Sequence, residues 1–417
     1  MLKKFIKFII IVNLVIALQV INAKKRKINT TDEVRNKVNA ILLQEEIPIE
    51  LKEGFEILIS EGERNLVLNS MRLGLDAFQL NYFDIAGKLL DIAIEGIETI
   101  YANNPRAIKA RKLWYEEGMK DFKGEPYERV MAYYYRGLLY MLEGKYEDAG
   151  ICFRNGILQD AFAEEQQYRC DFALLYFLEG WCWQKMNQIS KAEESFKEFK
   201  EFRPDAPVPS LEDNVLFIIE TGPAPRKLAD GIGHYELKIF RGKGERAVRV
   251  VLYNNDKEIK VYPMEDIAWQ AMTRGGRKFD KILYGQAQFK QDTAATASFL
   301  TESANNAMLA SSLMRGSASS NMQGVAAGMA VVGSLVTIAS IKAKPRADTR
   351  YWDNLPETIH IAFLKLSPGV HQVKIKFFDK ENNELTFLEK QIEFNVPSTG
   401  EKIIYIRSPL NLKYVSN

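Results

Sequence analysis

Residues 133–161, YYYRGLLYMLEGKYEDAGICFRNGILQDA, decide the fold of the first half of this chain. Apolar side chains recur here at the three- and four-residue spacing of an amphipathic helix, with a turn signal at Gly144. Gly137 in the first helix and Ala149 in the second let two antiparallel helices approach closely. Tyr133 and Tyr140 would fill the space between successive hairpins. The stretch therefore predicts a helical hairpin.

The same order of residue types returns downstream and, more loosely, upstream. The downstream copy consists of Tyr176, Gly180, Trp183, Ala192, Phe196 and Pro204, and the upstream copy of Gly74, Ala86, Leu90 and Ala93. This order resembles the tetratricopeptide repeat (TPR), a helical hairpin of about 34 residues. We predict a TPR-like α-solenoid over residues 30–210, with an irregular helical bundle as the alternative.

In TPR solenoids the first helix of each hairpin lines a concave groove, and the resemblance assigns one set of residues to that groove. They are Met131, Tyr134, Leu138, Met141, Leu174, Phe177, Trp181 and Gln184. Aromatic and methionine side chains in a groove suit an apolar peptide or a partner helix. The alternative is that this surface is buried by the second half of the chain or by the N-terminal helices.

The second half of the chain has the pattern of a β-protein. A proline-rich linker at 204–212 leads into it. Runs of alternating or continuous apolar residues then predict strands at 215–219, 235–240, 247–253, 258–262, 359–366, 370–378, 384–394 and 402–408. We predict an antiparallel β-sandwich formed by residues 213–263 and 346–417, and therefore an α+β protein.

A helical, Ala/Gly-rich insertion is predicted between the two groups of strands, over residues 264–345. Its segment 322–341 carries no charge and has Gly324 and Gly328 at the GxxxG spacing that lets helices pack closely. One interpretation is a close-packed helix pair against the sheet. The other is membrane insertion or self-association, since the segment is long enough to span a bilayer.

The N-terminus has the pattern of a secretory signal. Basic residues precede an apolar run at 8–21, and Ala23 offers a small residue at a cleavage point. We predict a signal peptide over residues 1–23 and an exported protein of the periplasm or cell envelope. Because basic residues follow directly at 24–27, an uncleaved N-terminal anchor is the alternative.

Composition and motifs do not indicate catalysis. The net charge is +2, which argues against nucleic acid as a partner. The three histidines, His234, His360 and His371, lie far apart, and no metalloprotease, P-loop or serine-hydrolase motif occurs. The three cysteines match no zinc spacing. We therefore predict no catalytic, metal-binding or cofactor-binding residues.

Two further motifs lie in the β-rich half. The first contains Glu220, Gly222, Pro223, Pro225 and Lys227, and the second contains Asp348, Arg350, Trp352 and Pro356. In this order they resemble the E-x-G-x-A-P-x-K and D-x-R-x-W-x-x-L-P motifs of an uncharacterised bacterial family of envelope TPR lipoproteins. The resemblance implies a role in the cell envelope and no established activity. This chain lacks the lipid-attachment cysteine of that family.

The residue types in these motifs favour structural roles. Prolines 223 and 225 force an extended, edge-like segment. A salt bridge between Glu220 and Lys227 could hold its two ends. Asp348 and Arg350 alternate along an extended segment and should share a face.

Together these patterns predict a non-catalytic, exported TPR scaffold or adaptor in cell-envelope assembly that binds a protein partner through its groove. The first alternative is a membrane-associated or self-associating envelope protein that uses segment 322–341. The second is an enzyme of unknown class. The sequence does not indicate an oligomeric state.

Overall fold

The computed structural model describes residues 36, 38, 47–101, 121–161 except 123, 172–230, 236–272 except 245 and 256, and 348–414. Within these residues the protein is a mixed α+β structure, as the sequence predicts. The predicted signal at 1–23 and the predicted insertion from 273 onward, with segment 322–341, lie outside the described residues.

The helices lie almost entirely in the first half. They are α1 (Lys52–Glu61), α2 (Leu66–Gln79), α3 (Phe83–Tyr101), α4 (Pro126–Leu142), α5 (Tyr146–Ala161), α6 (Ala173–Lys185), α7 (Ile189–Phe202) and α8 (Ile267–Met272), with short 3₁₀ turns at Ile49–Leu51, Glu63–Asn65 and Thr386–Leu388. The pairs α2–α3, α4–α5 and α6–α7 form hairpins, and α3 contacts α4 while α5 contacts α6. The hairpins therefore stack in chain order.

The three hairpins share one turn. A residue with positive φ ends the first helix in each: Asn81 (65°), Gly144 (74°) and Asn187 (58°). The following N–H donates back to a carbonyl in the last turn, at 2.8 Å for Tyr82 to Ala77, 2.8 Å for Lys145 to Tyr140 and 2.9 Å for Gln188 to Trp183. Such a left-handed C-terminal cap stops a helix and reverses the chain. The repeated sequence pattern thus produces a repeated backbone geometry.

The helices of each hairpin touch at a glycine. An added Cβ would lie 2.4 Å from the ring of Phe153 at Gly137 and 2.6 Å from the ring of Phe196 at Gly180. At Gly74, Leu90 occupies the corresponding place, and an added Cβ would lie 3.3 Å from it. The glycine therefore leaves space for a large side chain of the second helix.

The strands form two four-stranded sheets and a hairpin. They are β1 (Val215–Thr221), β2 (Arg226–Asp230), β3 (Glu236–Phe240), β4 (Arg249–Asn254), β5 (Lys257–Lys260), β6 (Tyr262–Asp266), β7 (Thr358–Leu364), β8 (Gly369–Phe378), β9 (Lys390–Val396) and β10 (Lys402–Ser408). The first sheet has the order β10-β1-β7-β6, the second sheet has the order β5-β4-β8-β9, and β2 pairs with β3 alone.

The first sheet lies between the helices and the second sheet. All seven residues of β1 are buried. Leu216 and Ile218 join the hydrophobic cluster of the helices, whereas Phe217 and Ile219 join a cluster with β4, β8 and β9 of the second sheet. Because alternate residues of a strand point to opposite faces, β1 contributes side chains to two hydrophobic cores. The described part of the molecule is therefore layered as helices, first sheet and second sheet.

Three predicted features of the β-rich half differ in the structure. The prediction of purely antiparallel pairing is wrong, because β10 pairs with β1 in parallel. The strand predicted at 384–394 begins only at Lys390, since a 3₁₀ turn precedes it. Strand β2 was not predicted. The prolines before it predict an extended, edge-like segment, and β2 does lie at an edge, where β3 is its single partner.

The first three residues of the predicted insertion, 264–266, belong to β6, and the helix α8 follows them. None of the described helices is long and apolar enough to cross a bilayer.

Candidate functional site

The residues predicted to line an open groove are buried within the protein. Met131, Tyr134, Leu138, Met141, Leu174, Phe177 and Trp181 are each at most 2% exposed. The ring of Phe177 lies 5.8 Å from that of Phe363 on β7. Gln184 is partly buried and donates to the carbonyl of Pro209 at 3.1 Å. Of the two alternatives for this surface, the structure shows burial, and the first sheet of the same chain covers it.

Glu220 is the polar centre of this interface between helices and sheet. Its carboxylate accepts hydrogen bonds from the hydroxyls of Tyr134 (3.1 Å), Tyr135 (2.9 Å) and Tyr405 (2.8 Å). The guanidinium of Arg407 lies 4.0 Å away. Burial raises the pKa of Glu220, although Arg407 and the three hydroxyls oppose that shift. These contacts bind α4 to β1 and β10.

Glu128 on α4 is a second buried carboxylate, and it joins the two motifs. One oxygen accepts from the backbone N–H of Trp352 at 2.7 Å. The other accepts from the ammonium of Lys227 at 2.7 Å and from the backbone N–H of Glu125 at 2.6 Å. The predicted salt bridge between Glu220 and Lys227 is therefore wrong. Each residue reaches a different partner on α4, and β2 pairs with β3 rather than with β1.

Gly222 begins that turn in a conformation that suits glycine. Its φ is +74°, and an added Cβ would lie 2.7 Å from the Cβ of Glu357. Glu357 is 2% exposed and accepts hydrogen bonds from Arg241 (2.5 Å) and Arg246 (2.6 Å). The segment that follows β3 is close as well, since a Cβ at Gly242 would lie 2.7 Å from the carbonyl oxygen of Pro223.

The second motif is also engaged inside the protein. Arg350 shares a face with Asp348 as predicted and donates to it at 2.6 Å, and it also reaches Asn65 at 2.6 Å. The fully buried ring of Trp352 lies 5.8 Å from that of Tyr135. Pro225 and Pro356 are buried too. The contacts of both motifs thus lie within the fold, which accords with structural roles.

A solvent-open cleft lies on the helical layer, across α5, α6 and α7. Its volume is about 310 Å³, and it is lined by Gly150, Ile151, Arg154, Asn155, Glu179, Trp183, Lys191 and Glu194. The side chains come from two neighbouring hairpins, because α5 packs on α6. The cleft is therefore a product of the stacking of hairpins.

The floor of the cleft carries an ion pair in which only the carboxylate is buried. The carboxylate of Glu179 is 1% exposed and accepts from Arg154 at 2.8 Å and from the indole of Trp183 at 3.3 Å. Burial raises the pKa of Glu179, and Arg154 opposes the shift. The ammonium of Lys191 lies 4.2 Å from the centre of the Trp183 ring. Arg154 remains 48% exposed, so it can reach a ligand.

This arrangement suits binding. The lining of the cleft includes an arginine, a lysine and a tryptophan, residue types that contact ligands through their charges and ring faces. In the part of the chain that the structure describes, no three His, Cys, Asp or Glu residues could together hold a metal ion. His360 is buried against the hydroxyl of Thr221 at 3.0 Å, and His371 meets the carbonyl of Ser367 at 2.8 Å, so the described histidines lie outside the cleft.

Sequence reasoning did not identify the cleft. Trp183 occupies the repeat position of Tyr140, and Glu179 belongs to none of the motifs. One signal was present: Glu179 is the only acidic residue in the otherwise apolar stretch LLYFLEGWCW at 174–183. A buried charge in such a stretch needs a partner, and Arg154 provides it.

Comparison of the chain with family models, curated proteins and solved structures found no match. The resemblance to envelope TPR lipoproteins therefore stays a prediction.

Proposed function

We propose that this chain is a non-catalytic adaptor of the bacterial cell envelope, built from TPR-type hairpins on a β-sandwich, that binds a protein partner on its helical layer. The shared turn and the shared glycine contact of the three hairpins support the TPR assignment. The common cluster of the two sheets supports the sandwich. The proposed partner is a protein and not a nucleic acid, because the net charge is only +2.

The partner site is proposed to be the cleft of α5, α6 and α7, because the first sheet fills the concave surface that TPR proteins ordinarily use. The observation that carries this proposal is the open cavity of about 310 Å³ that contains Trp183, Arg154 and Lys191. Trp and Arg are the residue types that most often dominate binding energy at protein interfaces.

Site-specific photo-crosslinking in cells tests this proposal. A photoreactive residue at Glu194, on the rim of the cleft, should give a discrete cross-linked product in the envelope fraction. The matched control is the same probe at Gln391, which is exposed on the second sheet. Trp183→Ala should remove the product at Glu194 without reducing the amount of folded protein. Equal products at both positions, or no product at Glu194, would contradict the proposal.

Export is proposed from the pattern of residues 1–23. Cell fractionation followed by N-terminal sequencing of the mature chain tests it. A periplasmic chain that begins near Lys24 is expected. A membrane-bound chain that retains Met1 would instead identify an uncleaved anchor.

A further inference from the structure

The two interfaces between successive hairpins, α3 on α4 and α5 on α6, each contain an ion pair at the same two repeat positions. One partner directly follows the side chain that faces a glycine, and the other directly precedes the glycine of the next hairpin. The pair is Asp91 and Arg136 in the first interface, and Arg154 and Glu179 in the second. The two interfaces therefore share one arrangement with the charges exchanged.

The first interface engages its arginine fully. Nε and Nη2 of Arg136 donate to the two carboxylate oxygens of Asp91 at 2.7 and 3.1 Å. The guanidinium carbon lies 3.9 Å from the centre of the Tyr140 ring, and the Arg136 side chain is only 13% exposed. The two-pronged donor face of this guanidinium is thus occupied by a carboxylate of the same chain.

The second interface leaves its arginine open. Only Nε of Arg154 donates to Glu179, at 2.8 Å, and among the described residues neither Nη1 nor Nη2 has a partner. Trp183 stands at the repeat position of Tyr140, but the cation over its ring is Lys191 of α7. Lys191 has no ion pair with any residue that the structure describes. The exchange of charges therefore leaves the Nη groups of Arg154 and one ammonium unengaged at the cleft.

These donors select the chemistry of a ligand. Two parallel N–H groups of a guanidinium match the two oxygens of a carboxylate. Ile151 and Leu158 of α5 lie on the same helix face as Arg154, on either side of it, and each is half-exposed. A bound segment that covers both continues past the carboxylate in both directions. The carboxylate is therefore that of a side chain within a segment and not that of a chain end.

We propose that the cleft recognises an acidic side chain of the partner protein, set between two apolar residues; this rests on the proposed function, which places the partner in this cleft. The carboxylate accepts two hydrogen bonds from Nη1 and Nη2 of Arg154, and Lys191 is the second cation. The apolar neighbours pack on Ile151 and Leu158. Because Glu194 lines the same cleft, recognition depends on directed hydrogen bonds and not on net positive charge.

Selection from a library tests the predicted chemistry. Random dodecapeptides displayed on phage are selected in parallel on the full chain and on its Trp183→Ala variant, and only sequences that the variant fails to retain are counted. Asp or Glu between two apolar residues should be enriched at least about fivefold over the unselected library. Trp183-dependent sequences without an acidic residue would overturn this inference and leave the proposed binding site standing. The absence of any Trp183-dependent sequence would contradict both.

A double variant reverses the polarity of the cleft. Arg154→Asp with Glu179→Arg copies the arrangement of Asp91 and Arg136, so the ion pair and the fold should persist, as thermal unfolding checks. The selected sequences should now contain Lys or Arg in place of the acidic residue, and continued selection of acidic residues would overturn the inference. If the double variant does not fold, Arg154→Lys replaces it. This change keeps a cation for Glu179 but loses the two-pronged donor, so a selected acidic peptide should bind about fivefold more weakly, and unchanged binding would overturn the inference.

Affinities of one selected peptide, measured by fluorescence anisotropy, separate recognition from a merely structural role of these residues. Replacing its acidic residue with the corresponding amide should weaken binding at least about tenfold. Glu194→Gln should strengthen binding about two- to fivefold, because it removes a like charge beside the ligand. The matched control is Glu201→Gln, the same change at an exposed residue at the far end of α7. Equal affinity for the acid and the amide, or weaker binding by the Glu194 variant, would overturn the inference.

Discussion

At the scale of single residues, the buried pair of Lys227 and Glu128 decides how the first motif is used. Glu128 is fully buried and Lys227 is 3% exposed. Both charges have left water, which is costly unless each keeps its partner. The two backbone N–H groups that also reach Glu128 complete its hydrogen bonding. The pair therefore ties β2 and the second motif to α4.

Replacing Lys227 with Met should lower the free energy of unfolding by about 3–5 kcal/mol, because the charge of Glu128 stays buried without its counter-ion. Urea denaturation measures the change. Lys243→Met is the control, since Lys243 is exposed and a surface change of this kind costs less than about 0.5 kcal/mol. A loss below about 1 kcal/mol for the Lys227 variant would show that Glu128 does not depend on this cation.

His360 gives stability a dependence on pH. Burial lowers its pKa from the ordinary 6.5 to about 3, so the folded protein keeps the ring neutral. The unfolded chain takes up a proton below about pH 6.5, and stability is therefore lost as the pH falls from about 6.5 toward 3.

At pH 5 the buried, neutral ring of His360 should have lowered the free energy of unfolding by about 2 kcal/mol relative to its value above pH 6.5. His360→Gln should flatten the profile of unfolding free energy between pH 6.5 and 5, as measured by denaturation at several pH values. Gln372→Asn, at an exposed residue that does not titrate, should leave the slope unchanged. An identical slope in wild type and in the His360 variant would assign the acid sensitivity to other groups.

At the scale of elements, the close packing of each helical hairpin depends on the space that a glycine of its first helix leaves for a side chain of its second helix. Alanine is favoured over glycine within a helix by about 1 kcal/mol. At Gly137 and Gly180 that gain meets a steric conflict, because the rings of Phe153 and Phe196 lie where the new Cβ would go.

Gly137→Ala and Gly180→Ala should each destabilise the protein by a net of about 1–3 kcal/mol, as overpacked cores do. Gly74→Ala is the matched control. Its neighbour Leu90 would lie 3.3 Å from the new Cβ and can adjust, so the result should be neutral or slightly stabilising. Thermal unfolding of the three variants ranks them. The same loss at all three positions would mean that the glycines do not differ in their packing.

At the scale of the whole molecule, the helices and the first sheet form one shared core. Residues of α4 and α6 lie in the same hydrophobic cluster as Leu216, Ile218 and Ile361 of the sheet. The surface that the repeat pattern assigned to a foreign ligand is thus part of the interior of this protein.

Replacing Tyr134, Phe177 and Trp181 together with Ala should prevent folding. Each change removes a fully buried aromatic side chain and costs about 3–5 kcal/mol, which together approach or exceed the stability of a typical domain. Circular dichroism and solubility of the purified chain measure this. The control is a triple Ala variant at Leu158, Leu211 and Val370, which are at least 50% exposed and should tolerate the change. A folded groove variant would show that this interface contributes little.

Local patterns in the sequence were enough to predict most elements. The helical spacing and the recurring Gly, Ala and aromatic residues predicted the hairpins, because a hairpin depends on residues close together in the chain. The looser upstream copy around Gly74 has the same turn as the other two, and a leucine stands there in place of the phenylalanine that faces the glycine. Strand β10 was predicted at its observed bounds, 402–408, for the same local reason.

Tertiary structure alone decided which surfaces meet. An apolar groove has the same sequence pattern whether a partner or the first sheet of the chain covers it, since burial of apolar area is not directional. The sequence likewise did not determine which carboxylate pairs with Lys227, because Glu220 and Glu128 are equally charged. Only the path of β2 brings the Lys227 ammonium within 2.7 Å of the Glu128 carboxylate. The parallel pairing of β10 with β1 joins strands from opposite ends of the β-rich half. Sequence thus determined the elements, and packing between distant residues determined the interfaces and left the cleft of α5, α6 and α7 open to solvent.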